Sequence, residues 1–136
     1  MAENKSSIEK KIFDLVHIRA SQMNGCGFCL DKHMKEAKIH VERNFVYTIS
    51  SWRESSLFDL RERAALAWTE ILTKLSEHGV SDELYENVRG QFTEKEISNL
   101  TFSIMAINAW NHINVAFKTE PGSADAAYGL NNSCLS

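Results

Sequence analysis

The chain has 136 residues, which suits one folded domain and is short for two. Hydrophobic residues make up 43% and charged residues 24%, the ordinary values of a folded protein, which argues against a largely disordered chain. The 18 acidic residues outnumber the 15 lysines and arginines, which argues against a nucleic-acid-binding protein, and no apolar run is long enough to span a membrane.

The N-terminal sequence is charged and lacks the apolar centre of a secretory signal, so we expect a cytoplasmic protein. Because thiols are kept reduced in that compartment, the three cysteines are not expected to form a structural disulfide framework. A CxxC motif in a cytoplasmic chain is more often catalytic or metal-binding.

The helical spacing of apolar residues predicts an all-α fold, a compact bundle of about six helices in a single domain. The first helix is predicted over residues 8–23, with Ser6 and Glu9 as a capping box and Asn24-Gly25 as its end. The second helix is predicted from near Cys26 to about Ile39, so a CxxC motif lies at its N-terminus.

Three further helices are predicted before the last one, over about residues 41–50, 57–75 and 82–88. Thr93 and Glu96 form a capping-box pattern that predicts the start of the last helix, which covers about residues 94–118. Residues from about 119 to 136 are rich in Gly, Ser, Asn and Ala, so we expect them to form a mobile tail.

The last predicted helix is apolar on more than one side, whereas the helix of a small monomer needs only one apolar stripe. It could be a central helix that the others surround, or it could bury a second face against another subunit. We favour the second interpretation and expect a homo-oligomer. The large apolar residues of this helix are Ile97, Leu100, Phe102, Ile104, Met105, Ile107, Trp110, Ile113, Val115 and Phe117.

The most informative motif is a C-x-x-C-x-x-x-H run formed by Cys26, Cys29 and His33. At about 100° per residue, these three side chains fall on one face of the second helix. The free N–H groups of a helix's first turn stabilise a thiolate, a second thiol can close a disulfide with an oxidised first one, and a nearby histidine can move protons. The motif therefore favours thiol redox chemistry.

Two other interpretations of this motif stay open. The cysteines could be buried simply as small apolar side chains. They could also bind zinc, with His33 as a third ligand and Cys134 or another histidine as the fourth. Structural zinc sites usually use two ligand pairs, however, and the chain has no second CxxC motif.

The run from Asp14 to His33, which contains the CxxC motif, resembles the signature of the carboxymuconolactone decarboxylase superfamily. It is most similar to the alkylhydroperoxidase D-like branch. Residues 62–70 and 107–112 also resemble that family, so the resemblance extends over about residues 8–118.

The resemblance implies a helical fold that assembles into trimers or hexamers and reduces peroxides without a metal, flavin or nucleotide cofactor. It implies that Cys29 attacks the peroxide and becomes a sulfenic acid, which Cys26 resolves to a disulfide. It further implies that Asp14 and His33 form a proton relay. The disulfide would then be reduced by a thiol-bearing partner, such as a lipoyl or thioredoxin-like protein.

Two positions depart from the family pattern. Asp14 stands where the family usually has glutamate, so the carboxylate is one methylene shorter. Phe28 stands where the best-known peroxidases have histidine; it could line an apolar pocket or belong to the core, and we favour the core. On spacing alone, Asp14 shares a stripe with Lys10 and His17 that is typical of a solvated face.

Two functions from other classes compete with the peroxidase. One is a non-redox member of the same family that acts on a small carbonyl or lactone compound. The other is a structural module stabilised by zinc.

Overall fold

The computed structural model describes residues 7–40 and 43–130. These residues form seven α-helices and one 3₁₀ helix and contain no strand, which confirms the all-α prediction. The α-helices are α1 (Lys10–Asn24), α2 (Gly27–His40), α3 (Arg43–Tyr47), α4 (Leu60–Thr73), α5 (Asp82–Arg89), α6 (Glu94–Ala116) and α7 (Asp125–Tyr128), and the 3₁₀ helix covers Ile49–Glu54.

Helix α1 lies at the centre of the bundle and packs against α2, α4 and α6. It buries apolar side chains on two sides, because Val16 belongs to a core shared with α4, α5 and α6, whereas Leu15 belongs to a second core shared with α2, α3 and the 3₁₀ helix. The central helix is therefore α1, and α6 is not surrounded by the others.

The chain leaves α1 through a turn that the Asn24-Gly25 pair predicts. Gly25 has a φ of 65°, a left-handed conformation that costs glycine little. The next backbone N–H, that of Cys26, donates to the carbonyl oxygen of Ser21 at 3.1 Å. This turn brings Cys26 to the position immediately before the first residue of α2.

The predicted capping box of the last helix is confirmed, since the side chains of Thr93 and Glu96 each accept a hydrogen bond from the other's backbone N–H. At the start of α1, Glu9 is the N-cap and makes no side-chain capping bond. Its predicted partner Ser6 lies outside the described residues.

The predicted helix over residues 57–75 is shorter in the structure because Asp59 and Glu62 form a capping box that starts α4 at Leu60. The sequence interpretation missed this box. It also missed the 3₁₀ helix, which follows α3 and carries the buried Trp52 against the second core.

Residues 119–130, which we call the C-terminal strap, fold back onto α2. The carboxylate of Asp125 accepts a hydrogen bond from Lys35 Nζ at 2.7 Å, and Leu130 is 3% exposed. The strap is therefore held in place, whereas its many small and polar residues had led us to expect a mobile tail. Composition alone does not predict a single ion pair or a single buried leucine. Residues 131–136, which include Cys134, lie outside the described residues.

The outer face of α6 is strongly apolar and exposed. Phe102 is 73% exposed and Phe117 is 80% exposed, and four further large apolar side chains share the helix surface: Met105, Trp110, Ile113 and Val115. Among the helices that the structure describes, none combines the length and apolarity needed to cross a membrane.

Candidate active site

Cys26 and Cys29 are joined by a disulfide at the N-terminus of α2, and both are almost completely buried, at 2% and 3% exposure. The backbone N–H of Cys29 donates to Cys26 Sγ at 3.2 Å, and the N–H of Leu30 donates to the carbonyl oxygen of Cys26 at 2.9 Å. Cys26 therefore occupies the N-cap position. After reduction, the N–H of Cys29 stabilises negative charge on the Cys26 sulfur.

A cavity of about 410 Å³ opens onto this disulfide from the Cys29 side. Side chains of α1, α2, α6 and the C-terminal strap line the cavity, and Cys26 is not among them. Phe28, Ile107 and Trp110 form part of an apolar wall, and Tyr128 of the strap completes it. A small molecule in this cavity meets Cys29 and has no comparable approach to Cys26.

Phe28 is half-buried and lines the cavity, so the core position that we favoured for it is not what the structure shows. The ring lies on the side of α2 that faces the cavity rather than the second core. Phe28 lies in the first turn of α2, between the two cysteines, so its ring borders the part of the cavity next to the disulfide.

His33 lies one turn after Cys29 and lines the same cavity. Its Nδ1 is 3.3 Å from Oε1 of Glu36, the acidic residue one turn further along α2. Burial lowers the pKa of His33 below its usual 6.5, more than the hydrogen bond to Glu36 raises it. The same hydrogen bond lowers the pKa of Glu36 to about 2, so the pair is a neutral imidazole beside a carboxylate at neutral pH.

His17 lines the cavity beside His33, and the two ring centroids are 4.8 Å apart. Its Nε2 lies 3.1 Å from the hydroxyl oxygen of Ser103 on α6. Sequence reasoning placed His17 on a stripe of α1 typical of a solvated face. Because α1 is central, that stripe is covered by α2 and α6, and His17 becomes part of the site.

Asp14 is 7% exposed, so it is also not on a solvated face. Its Oδ1 accepts a hydrogen bond from Lys10 Nζ at 2.8 Å, and its Oδ2 has no hydrogen-bond partner among the described residues. It does not line the cavity, and it lies one turn before His17 on α1. The structure thus brings together Cys26, Cys29 and His33, and leaves Asp14 one helical turn away from the cavity wall.

A row of asparagines on α6 supports the site and was not predicted. Asn114 Nδ2 lies 3.7 Å from Cys29 Sγ and also donates to the carbonyl oxygen of Trp110. Asn111 is completely buried and joins Ser21 Oγ to Asn24 Nδ2, with distances of 3.0 Å to each. The sequence signal was present, since polar residues spaced three apart interrupt an otherwise apolar helix.

No group of three or more His, Cys, Asp or Glu side chains in the described part of the chain is arranged to hold a metal ion. The zinc alternative named Cys134 as a ligand, and that residue lies outside the described part. This alternative therefore stays open to experiment.

The sequence matches the model of the carboxymuconolactone decarboxylase family over residues 1–70. Protein YdfG of Bacillus subtilis strain 168, described as uncharacterized, is 37% identical over 120 residues, which cover 88% of this chain and 82% of YdfG. Both matches include the CxxC region described above.

Solved structures show the same fold. A protein of unknown function from Agrobacterium tumefaciens, for which an antioxidant-defence role of the AhpD type is suggested, is 38% identical, with a TM-score of 0.82 and coverage of 87% of this chain and 82% of that one. The debrominase Bmp8 has a TM-score of 0.74 at 23% identity, with coverage of 90% and 66%, which establishes a shared fold alone.

These similarities extend over most of the chain and agree with the position of the CxxC pair at the start of α2. The chain belongs to the carboxymuconolactone decarboxylase family, in its alkylhydroperoxidase D-like branch.

Proposed function

We propose that this protein is a thiol-dependent peroxidase that protects against peroxides through a dithiol–disulfide cycle of Cys26 and Cys29. The observation that carries the proposal is the one-sided access to the disulfide, with Cys29 facing a cavity beside His33 and Cys26 buried behind it. Membership of the alkylhydroperoxidase D-like branch and the antioxidant role suggested for the Agrobacterium protein support it.

In the first step, His33 accepts the thiol proton of reduced Cys29, and the thiolate attacks one peroxide oxygen. The O–O bond breaks, the attacked oxygen stays on Cys29 as a sulfenic acid, and the other half of the peroxide takes the proton back from His33 and leaves as an alcohol. The lowered pKa of His33 keeps its imidazole neutral at neutral pH, which is the state that accepts a proton. The amide of Asn114, close to Cys29 Sγ, stabilises negative charge there.

In the second step, Cys26 attacks the Cys29 sulfur, the S–O bond breaks, and hydroxide leaves as water after protonation. A protein dithiol, of the lipoyl or thioredoxin-like class, then returns two electrons and two protons. No metal, flavin or nucleotide takes part in this cycle.

Asp14 is included as the distal member of the proton relay. Its Oδ2 has no hydrogen-bond partner within the described part of the chain, so it is able to accept a proton. His17, one turn along α1 and in ring contact with His33, lies between this carboxylate and the cavity. A bridging water would compensate for the side chain that is one methylene shorter.

The proposal includes a homo-oligomer, a trimer or a hexamer, and a cytoplasmic location. The exposed apolar face of α6 supports the oligomer, because five large apolar side chains on this helix, and Phe117 directly after it, are poorly suited to contact with water. A reducing compartment supports the cycle, since the disulfide must be reduced after each turnover.

Thiol counting on the native protein tests this function. We expect one equivalent of an organic peroxide to remove two thiols per chain and dithiothreitol to restore them. A Cys134→Ser variant is the matched control, since it leaves only the CxxC pair to count. No thiol loss, together with stoichiometric zinc in the preparation, would replace the peroxidase with the zinc-stabilised module; no loss without zinc would favour the non-redox enzyme.

A further inference from the structure

His33 has a carboxylate at its Nδ1, and that carboxylate belongs to Glu36 rather than to Asp14. The distance from Nδ1 to Glu36 Oε1 is 3.3 Å, whereas the carboxylate of Asp14 is directed to Lys10. We propose that Glu36 is a positioning residue that holds the proton of neutral His33 on Nδ1 and so leaves Nε2 as the basic nitrogen in the cavity beside Cys29. This inference rests on the proposed function and deepens it.

The chemistry of imidazole supports this assignment. A neutral histidine carries one N–H, and its other nitrogen is the acceptor. A carboxylate can accept a hydrogen bond but cannot donate one, so a carboxylate beside Nδ1 stabilises the tautomer with the proton on Nδ1. The pKa of Glu36, about 2, means that it is a carboxylate over the whole neutral range.

The surroundings of His33 contain other groups that bear on its protonation. On α1, His17 lies 4.8 Å away and opposes a positive charge on His33. On α2, Lys32 Nζ lies 3.0 Å from the same Oε1 of Glu36 and also opposes that charge. The α6 wall contributes the uncharged Asn114, and the C-terminal strap contributes Tyr128, whose ring lies 4.4 Å from Lys32 Nζ.

A simpler interpretation is that Glu36 serves only as the surface partner of Lys32, four residues before it on the same helix. The two interpretations differ in what a change at Glu36 does: the tautomer of His33 changes only if Glu36 acts on His33. Lys32→Gln removes the partner of Glu36 and should leave the tautomer of His33 unchanged. This variant is therefore the matched control for changes at Glu36.

The test is ¹⁵N NMR of the His33 ring in the reduced protein, combined with the rate at which peroxide oxidises Cys29. We expect the proton on Nδ1 in the parent and in Lys32→Gln. In Glu36→Gln the side-chain amide oxygen still accepts from Nδ1, so the tautomer persists while the pKa of His33 falls. In Glu36→Ala we expect the proton to move largely to Nε2 and the oxidation rate to fall by about 10- to 100-fold, as for other orienting partners of functional histidines.

Two results would overturn the inference: a parent protein with the proton on Nε2, or a Glu36→Ala variant with unchanged tautomer and unchanged rate. The side chain of Glu36 is 35% exposed, so the alanine variant is expected to fold. The glutamine variant gives a second, independent measurement of the tautomer and of the pKa of His33. If the tautomer follows Glu36 but even the parent does not react with peroxide, the positioning role stands and the proposed function fails.

Discussion

The imidazole rings of His17 and His33 lie side by side in the cavity wall with their centroids 4.8 Å apart, although they come from different helices. At this separation, protonation of one ring opposes protonation of the other. The pKa of His33, which burial already lowers, is lowered further by His17. His33 is thus a neutral imidazole, in the cavity that Cys29 lines, at pH values where an exposed histidine would be partly protonated.

A His17→Gln variant tests this relationship. We expect the pKa of His33 to rise toward its usual 6.5, because the opposing charge is removed. Since the base must be neutral, the rate of Cys29 oxidation falls as the pH drops through that pKa, and the fall should begin at a higher pH in the variant. NMR titration of His33 and stopped-flow oxidation from pH 5 to 8 measure the two effects. An unchanged or lower pKa in the variant would show that the two rings do not interact as described.

Replacing each cysteine in turn should affect peroxide turnover in a different way. We expect Cys29→Ser to abolish peroxide turnover, whereas Cys26→Ser should stop cycling but still form a sulfenic acid at Cys29, since only Cys29 lines the cavity. A sulfenic-acid probe followed by mass spectrometry distinguishes them. Labelling of Cys29→Ser with none of Cys26→Ser would mean that the two roles are reversed.

Asp14 provides a third prediction. A carboxylate near a thiol cannot help through its charge, which would raise the thiol pKa; it can help only by accepting a proton. We expect Asp14→Asn to slow Cys29 oxidation by on the order of 10²-fold, and Asp14→Glu to be tolerated. Single-turnover oxidation from pH 5 to 9 is the measurement. Equal rates for Asp14→Asn and the parent across that range would remove Asp14 from the relay.

The exposed face of α6 leads to a fourth prediction. We expect the parent to sediment as a trimer or hexamer at micromolar concentration, and a Phe102→Lys variant to dissociate, because a charge at a 73% exposed ring would have to be buried in the interface. A Tyr85→Lys variant, which changes a 38% exposed aromatic residue on α5, is the control and should remain assembled. A monomeric parent would contradict the oligomer.

Local sequence rules predicted the elements that depend on neighbouring residues. The turn at Gly25, the capping box of Thr93 and Glu96, and the CxxC pair at the start of α2 were all correctly placed. Each of these depends on contacts within a few residues, where spacing alone determines which groups meet.

The parts that the sequence did not reveal depend on how helices pack. Whether a stripe of α1 faces solvent or a cavity depends on the rotation of α1 against α2 and α6, and only that rotation makes His17 part of the site. The same holds for Asn114, which reaches Cys29 from 85 residues away along the chain. Glu36 was within reach of local rules, since it follows His33 by one turn, but its role was obscured by the carboxylate that the resemblance placed at Asp14.

Because the cavity reaches the disulfide only from the Cys29 side, it also determines which sulfur a reductant can attack. Thiol–disulfide exchange requires the attacking sulfur to approach one sulfur in line with the bond that breaks, and only Cys29 faces the cavity. We therefore expect the mixed disulfide with a reductant to form on Cys29, with Cys26 as the leaving group. The Cys26 sulfur already accepts a hydrogen bond from the N–H of Cys29, so we expect this helix terminus to stabilise the thiolate that is released.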